Sequence, residues 1–171
     1  ENLTLAANEV RRISRDLRPG ALDDLGLGPA VKSLAEDFAH RTGIKVTFET
    51  AVFRNRLEQD TKIALYRIAQ EALTNIERHA GATKVSIDIR GHRKGATLRI
   101  SDNGTGIDKV KKSGPGGLGL RNMQERIEQL DGQLRITSTS RGTTIEALVP
   151  LSRLLSPDDG AKQVSYGKAA E

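Results

Sequence analysis

The sequence predicts a two-layer α/β sandwich of the α+β kind, a mixed, mostly antiparallel sheet covered on one face by helices. Three observations point there. Apolar spacing switches between helical and strand periods in the order helix, strand, helix, strand, strand, helix, strand, strand. Neighbouring strands are joined by short glycine turns, as antiparallel hairpins are. The longest helix carries one apolar stripe, so it has one face to bury.

Taken in order, Leu5 to Leu17 reads as a charged helix that Arg18-Pro19-Gly20 stops, because proline cannot continue a helix and glycine permits the turn. Pro29 to His40 is expected as a helix, with Val31, Leu34, Ala35 and Phe38 on one side and Gly43 behind them as the stop. Ile44 to Phe48 alternates as a strand. Glu58 to His79 is the long helix, its stripe formed by Leu65, Ile68, Ala69, Ala72, Leu73 and Ile76. Val85 to Ile89 and Thr97 to Ile100 form a hairpin through Gly91 to Gly95, which places His92 in the turn. Residues 103–117, rich in glycine and carrying Lys109, Lys111 and Lys112, read as a mobile loop. A helix from Leu118 to Leu130 follows, then a hairpin of Leu134 to Thr137 and Thr143 to Val149. The domain division is 1–18 as a helix remnant, 19–150 as the globular unit and 151–171 as a disordered tail, since Pro157 to Gly160 break any helix and no apolar period follows.

Composition removes several function classes. With no cysteine there is no disulfide scaffold, thiolate zinc site or thiol nucleophile, and a cytoplasmic setting fits. No apolar run approaches a membrane span, so any membrane attachment would belong to the parent protein. A net charge of +5 admits an anionic partner. Aromatics at 3 % give little to stack bases on, and no zinc-finger or basic-zipper spacing is present, so direct nucleic-acid binding is not expected. A nucleoside triphosphate suits the same charge.

Four polar residues of the long helix, Glu71, Asn75, Arg78 and His79, recur at i, i+4, i+7 and i+8 and share one strip. On ideal geometry that strip lies about 105° from the apolar stripe, where the far side would be about 180°. It therefore borders the core, as a cleft floor would. Asp102 has the parity of Leu98 and Ile100, which aims a carboxylate inward. Such burial is costly unless something pairs with the group, and an exocyclic amine would. Gly104 and Gly106 let backbone approach a flat ring closely. Thr143 has the parity of Ile145, Ala147 and Val149 and so faces the same side. Gly114, Gly116, Gly117 and Gly119 lead into a helix whose first turn holds Leu120 and Arg121, a place where backbone N–H groups can receive phosphate. Each feature alone has an ordinary explanation: a turn after a strand, a solvated asparagine, a histidine favouring a helix C-terminus. Their joint order is what argues for a site.

In that order the residues resemble the histidine-kinase, gyrase, heat-shock-chaperone and mismatch-repair ATPase family, over about Thr61 to Pro150. Glu71-Ala72-Leu73-Thr74-Asn75 resembles its N box, Asp102-Asn103-Gly104-Thr105-Gly106 its first glycine box and Gly117-Leu118-Gly119-Leu120 its second. The surrounding Ile76-Glu77-Arg78-His79-Ala80 and Arg121-Asn122-Met123-Gln124-Glu125-Arg126 are most similar to sensor kinases of the nitrate-sensor and desaturase-thermosensor type.

The resemblance implies a Bergerat-type fold binding ATP and Mg²⁺. Asp102 would read adenine, supported by Thr143 through water; Asn75 would ligate Mg²⁺, and Arg78 and His79 would touch phosphates. Gly104, Gly106, Gly117, Gly119 and Leu120 would line the nucleotide. Glu71 matches the general base of hydrolysing relatives and in kinases would orient the γ-phosphate or the accepting histidine. The family's accepting histidine lies on a dimerisation helix, and Leu5 to Leu17 resembles only the end of the second such helix. His40, His79 and His92 do not replace it, so this piece is expected to bind ATP without phosphorylating itself. Implied partners are the protein's own dimerisation domain, in a full-length homodimer, and a response regulator with a helix-turn-helix output. Two other readings share the nucleotide site: a serine kinase of the anti-sigma-factor type, and an ATP-gated interaction module without transfer chemistry.

Overall fold

The computed structural model describes residue 22 and residues 25–51, 56–92, 95–107, 117–150 and 154–155. The helix expected over Leu5 to Leu17, the loop lysines, Gly114 and Gly116 lie outside these residues. So does most of the expected tail, of which Leu154–Leu155 (β7) pairs antiparallel with Arg56–Leu57 (β2).

Helix α1, Leu27–Thr42, buries Leu27, Ala30, Val31, Ala35 and Phe38, one stripe at helical spacing. It ends as expected at Gly43, whose left-handed backbone turns its N–H onto the Ala39 carbonyl at 2.9 Å. Strand β1 is Lys45–Thr50, and helix α2 is Gln59–Asn75. The long helix does not continue regularly to His79. Residues Ile76–Ala80 form one π turn, closed by Gly81 in the left-handed region. A wider turn holds more residues per revolution, so the even strip drawn from Glu71 to His79 is broken after Asn75. Arg78 and His79 are exposed, while Ile76 and Ala80 are buried.

Strands β3 (Lys84–His92) and β4 (Gly95–Asp102) form a longer hairpin than expected. His92 pairs with Gly95 inside the ladder, and its Nε2 lies 2.8 Å from Thr97 Oγ1, so it is a strand residue and not a turn residue. Helix α3, Gly117–Glu128, and the hairpin β5 (Gln133–Thr139) and β6 (Gly142–Pro150) complete the unit.

The five-stranded sheet has the order β1-β3-β4-β6-β5, with β1 parallel to β3 and every other pair antiparallel. The α2 crossover between β1 and β3 is what allows the parallel pair. Helices α1, α2 and α3 pack on one face. That face is built in register rows. Phe48, Ile87, Ile100, Ile145 and Ile136 stand side by side across all five strands. They meet Leu65, Ile68, Ala69 and Ala72 of α2 and Met123 and Ile127 of α3 in the core. Fully burying one such side chain is worth about 1.5–3 kcal/mol. The opposite face is polar, its matching row being Glu49, Asp88, Arg99, Glu146 and Arg135. The expected two-layer sandwich is therefore the observed one.

Candidate nucleotide site

One register step beyond the isoleucine row, the inner face changes character. Val46 and Val85 are followed by Asp102, and Thr143 pairs with Ser138. The β4–β6 ladder places Ser101 opposite Thr144, so the next step sets Asp102 beside Thr143. Three polar side chains thus stand in a row where the fold otherwise buries aliphatic ones, forgoing several kcal/mol of apolar burial. The inward parity read from the sequence holds for both Asp102 and Thr143, which are half-buried and buried respectively.

Local hydrogen bonds set the carboxylate. Asp102 Oδ1 accepts the Gly104 N–H at 2.8 Å, and Oδ2 has no hydrogen-bond partner among the described residues. Asn103 points the other way and clamps the loop to the start of β3: its Oδ1 accepts the N–H groups of Thr83 (2.9 Å) and Lys84 (2.8 Å), and its Nδ2 donates to Thr83 Oγ1 (2.9 Å).

The two glycines have a cause different from the one anticipated. A Cβ on Gly104 would overlap the Ala80 carbonyl, and one on Gly106, whose φ is 79°, would overlap the carbonyl of Thr139. Their smallness serves contact between protein segments. Thr105 N–H donates to the Ala80 carbonyl at 2.9 Å. The end of the π turn and the Asp102–Gly106 loop are therefore fastened together, which joins the end of α2 to the sheet.

On α2, Asn75 is half-buried and its Nδ2 is one of two buried side-chain polar atoms without a partner among the described residues, the other being Thr61 Oγ1. An unpaired buried amide costs about 1–3 kcal/mol, so a ligand is its natural complement. Glu71 sits one turn earlier, its carboxylate against Gly119 in the first turn of α3. Gly117 opens that helix, Leu120 is half-buried behind it, and Arg121 turns along the surface to Glu125 at 2.8 Å. The structure thus groups Asp102, Gly104, Gly106 and Thr143, and separately Glu71 with Gly119. Arg78 and His79 lie at the exposed rim.

Sequence reasoning missed Ser138, although its parity with Leu134 and Ile136 marks it as inward-facing. It also passed over Asn103 as an ordinary turn residue. The π turn has no apolar-pattern signal.

The profile of the histidine kinase-, DNA gyrase B- and HSP90-like ATPases matches residues 60–153. The chain belongs to this family. A sensor histidine kinase of Rhizobium johnstonii, MctS, is 47 % identical over 89 % of the chain and 33 % of its own length. The histidine-protein kinase/phosphatase DegS of Brevibacillus brevis is 43 % identical over 84 % of the chain and 37 % of its own length. These relatives place the chain with the ATP-binding catalytic domains of sensor histidine kinases, and it spans about a third of their length. Among solved structures, the histidine kinase domain of a blue-light activated kinase from Erythrobacter litoralis superposes with TM-score 0.64 at 24 % identity, covering 74 % of this chain and 61 % of that one. Full-length ShkA in complex with AMPPNP gives TM-score 0.60 at 17 % identity, covering 77 % of this chain and 30 % of that one. Both likenesses support the shared fold. Among the described residues no helix is long and apolar enough to cross a membrane.

Proposed function

We propose that this domain binds Mg²⁺-ATP with adenine on Asp102, and that its γ-phosphate passes to a histidine on a dimerisation domain outside this chain. A response regulator, on this reading one with a helix-turn-helix output, would receive it next, and the full-length protein would act as a homodimer on the cytoplasmic side. The observation that carries the reading is the polar row Asp102–Thr143–Ser138 at the edge of an otherwise apolar sheet face. With Oδ1 occupied by the Gly104 N–H, Oδ2 can accept one hydrogen bond from an exocyclic amine, whereas guanine would bring an oxygen to that place.

At the other end, the Asn75 amide has a buried nitrogen without a partner among the described residues, and the group suits a single protein ligand to a metal held mainly by phosphates. The amide has two orientations, and the one with its oxygen toward the cleft presents the ligating atom. Mg²⁺ would neutralise charge on the phosphate oxygens during in-line transfer. Gly117, Gly119 and Leu120 would receive phosphate at the start of α3, with Arg78 and His79 approaching from the rim. In the transfer, the bond between γ-phosphorus and the ADP oxygen breaks as one forms to the imidazole nitrogen. Glu71 would hold the incoming ring by accepting its other N–H, so that the domain's contribution is positioning and charge neutralisation.

The test is Asp102→Asn in a calorimetric titration with ATP. The variant keeps an oxygen for the Gly104 N–H, so the loop geometry survives, but it turns an amide donor toward the adenine amine. Affinity should fall at least tenfold, the scale of one charge-assisted hydrogen bond. An unchanged affinity would remove Asp102 from the adenine site. Transfer to a supplied dimerisation domain separates this reading from an ATP-gated module.

A further inference from the structure

We infer that Ser138 is a positioning residue for adenine recognition: it fixes the hydroxyl of Thr143 as a hydrogen-bond donor toward the base. The inference rests on the ATP site proposed above. Ser138 Oγ accepts the backbone N–H of Ile107 at 2.7 Å and lies 3.2 Å from Thr143 Oγ1. A serine hydroxyl has one proton to give and two lone pairs. Ile107 occupies one lone pair, and the direction of the second bond decides what Thr143 can offer.

Two arrangements exist. If Thr143 donates to Ser138, the Ser138 proton has no acceptor among the described residues. Thr143 then shows only lone pairs beside the Asp102 carboxylate, setting acceptors against an acceptor. If Ser138 donates to Thr143, its proton and one lone pair are both used, and the Thr143 proton is free to turn toward the base. Each arrangement leaves one hydroxyl proton without a partner among the described residues, but the second puts that proton on Thr143, beside the Asp102 carboxylate that attracts it, where the first turns lone pairs toward the same negative charge.

Beside Asp102, which accepts from the adenine amine, a donor at Thr143 complements the ring nitrogen next to that amine, directly or through one water. The acceptor–donor pair matches the adenine edge and mismatches guanine at both places. Ser138 is also fixed from below. Gly106 packs against it, a Cβ there falling 2.9 Å from Ser138 Oγ, so the Ile107 N–H is delivered to the hydroxyl by the same turn that shapes the Asp102 loop.

The experiment compares ATP with 1-deaza-ATP, which lacks that ring nitrogen, by calorimetry on the full chain and on its Ser138→Ala and Ser138→Thr variants. Wild type should prefer ATP by roughly three- to tenfold, the scale of one hydrogen bond. Ser138→Ala should bind both nucleotides about equally, near the wild-type affinity for the deaza form, and Ser138→Thr, which keeps the hydroxyl, should restore the preference. Equal loss for both nucleotides in Ser138→Ala, with the preference intact, would reduce Ser138 to a packing role and overturn the proposal. So would a wild type that does not distinguish the two. Failure of the ATP site itself would show differently, as no ATP binding by wild type or no effect of Asp102→Asn.

Discussion

The carboxylate of Glu71 lies against the Cα of Gly119, so closely that a side chain at Gly119 would take its place. The N-box helix and the first turn of α3 are in contact through this pair. Glycine there gives up the helix propensity of alanine, about 0.5–1 kcal/mol, in exchange for room. Gly119→Ala should recover that propensity while pushing Glu71 aside, and because a carboxylate is the far end of a flexible side chain the shift is cheap. The expected outcome is a melting temperature within a few degrees of wild type, with transfer to a supplied dimerisation domain slowed on the order of 10–100-fold at saturating ATP. Full turnover in the variant would count against a role for Glu71 in the transfer.

Gly104→Ala is the same substitution with the opposite result. Its Cβ meets the backbone carbonyl of Ala80 and the Ala80 Cβ at 2.8 Å, and neither can move without unseating the π turn. A loss of about 3 kcal/mol is expected, read as a fall on the order of 10 °C in the thermal melt. Thr105→Ala serves as the control. It keeps the N–H bond to Ala80 and loses only a 3.4 Å hydroxyl contact, so its melt should stay near wild type.

The contrast between these glycines shows what was legible in the sequence. Layer architecture, strand parity and the inward aim of Asp102 and Thr143 follow from periods of two and 3.6, which report burial directly. The extra hairpin length does not, because Gly95 looks like turn chemistry and is a strand residue whose missing side chain makes room for the Val149 carbonyl. The π turn is equally silent: Ile76 and Ala80 are buried and Arg78 and His79 exposed, a pattern a regular helix end also gives. The glycines of the Asp102 loop were legible as close approaches, but what they approach is Ala80 and Thr139, and only the fold brings those segments together.

Asn103 separates loop positioning from ligand contact. In Asn103→Ala the N–H groups of Thr83 and Lys84 lose their acceptor, and since the residue is exposed water can replace it, limiting the cost to about 0.5–1.5 kcal/mol. Asp102, next in the chain, is then less firmly aimed, and ATP affinity should drop severalfold. Asn103→Asp keeps the acceptor and gives up only the Nδ2 bond to Thr83 Oγ1, so it should retain most of both properties. If Asn103→Ala binds ATP as tightly as wild type, the clamp does not set the carboxylate.

Asn75 should show stability and function pulling in opposite directions. Its buried Nδ2 has no partner among the described residues, and asparagine is a poorer helix former than alanine, so the nucleotide-free protein bears two penalties at one residue. Asn75→Ala removes both, against a small loss of packing, and the nucleotide-free domain should melt at the same temperature or a few degrees higher. The same variant should lose the Mg²⁺-dependent part of ATP affinity, measured as the ratio of dissociation constants with and without the metal. That combination is diagnostic, because a structural asparagine would lower the melt on removal and leave the metal ratio alone. A variant that melts lower and keeps its Mg²⁺ response would assign Asn75 to the helix rather than to the metal.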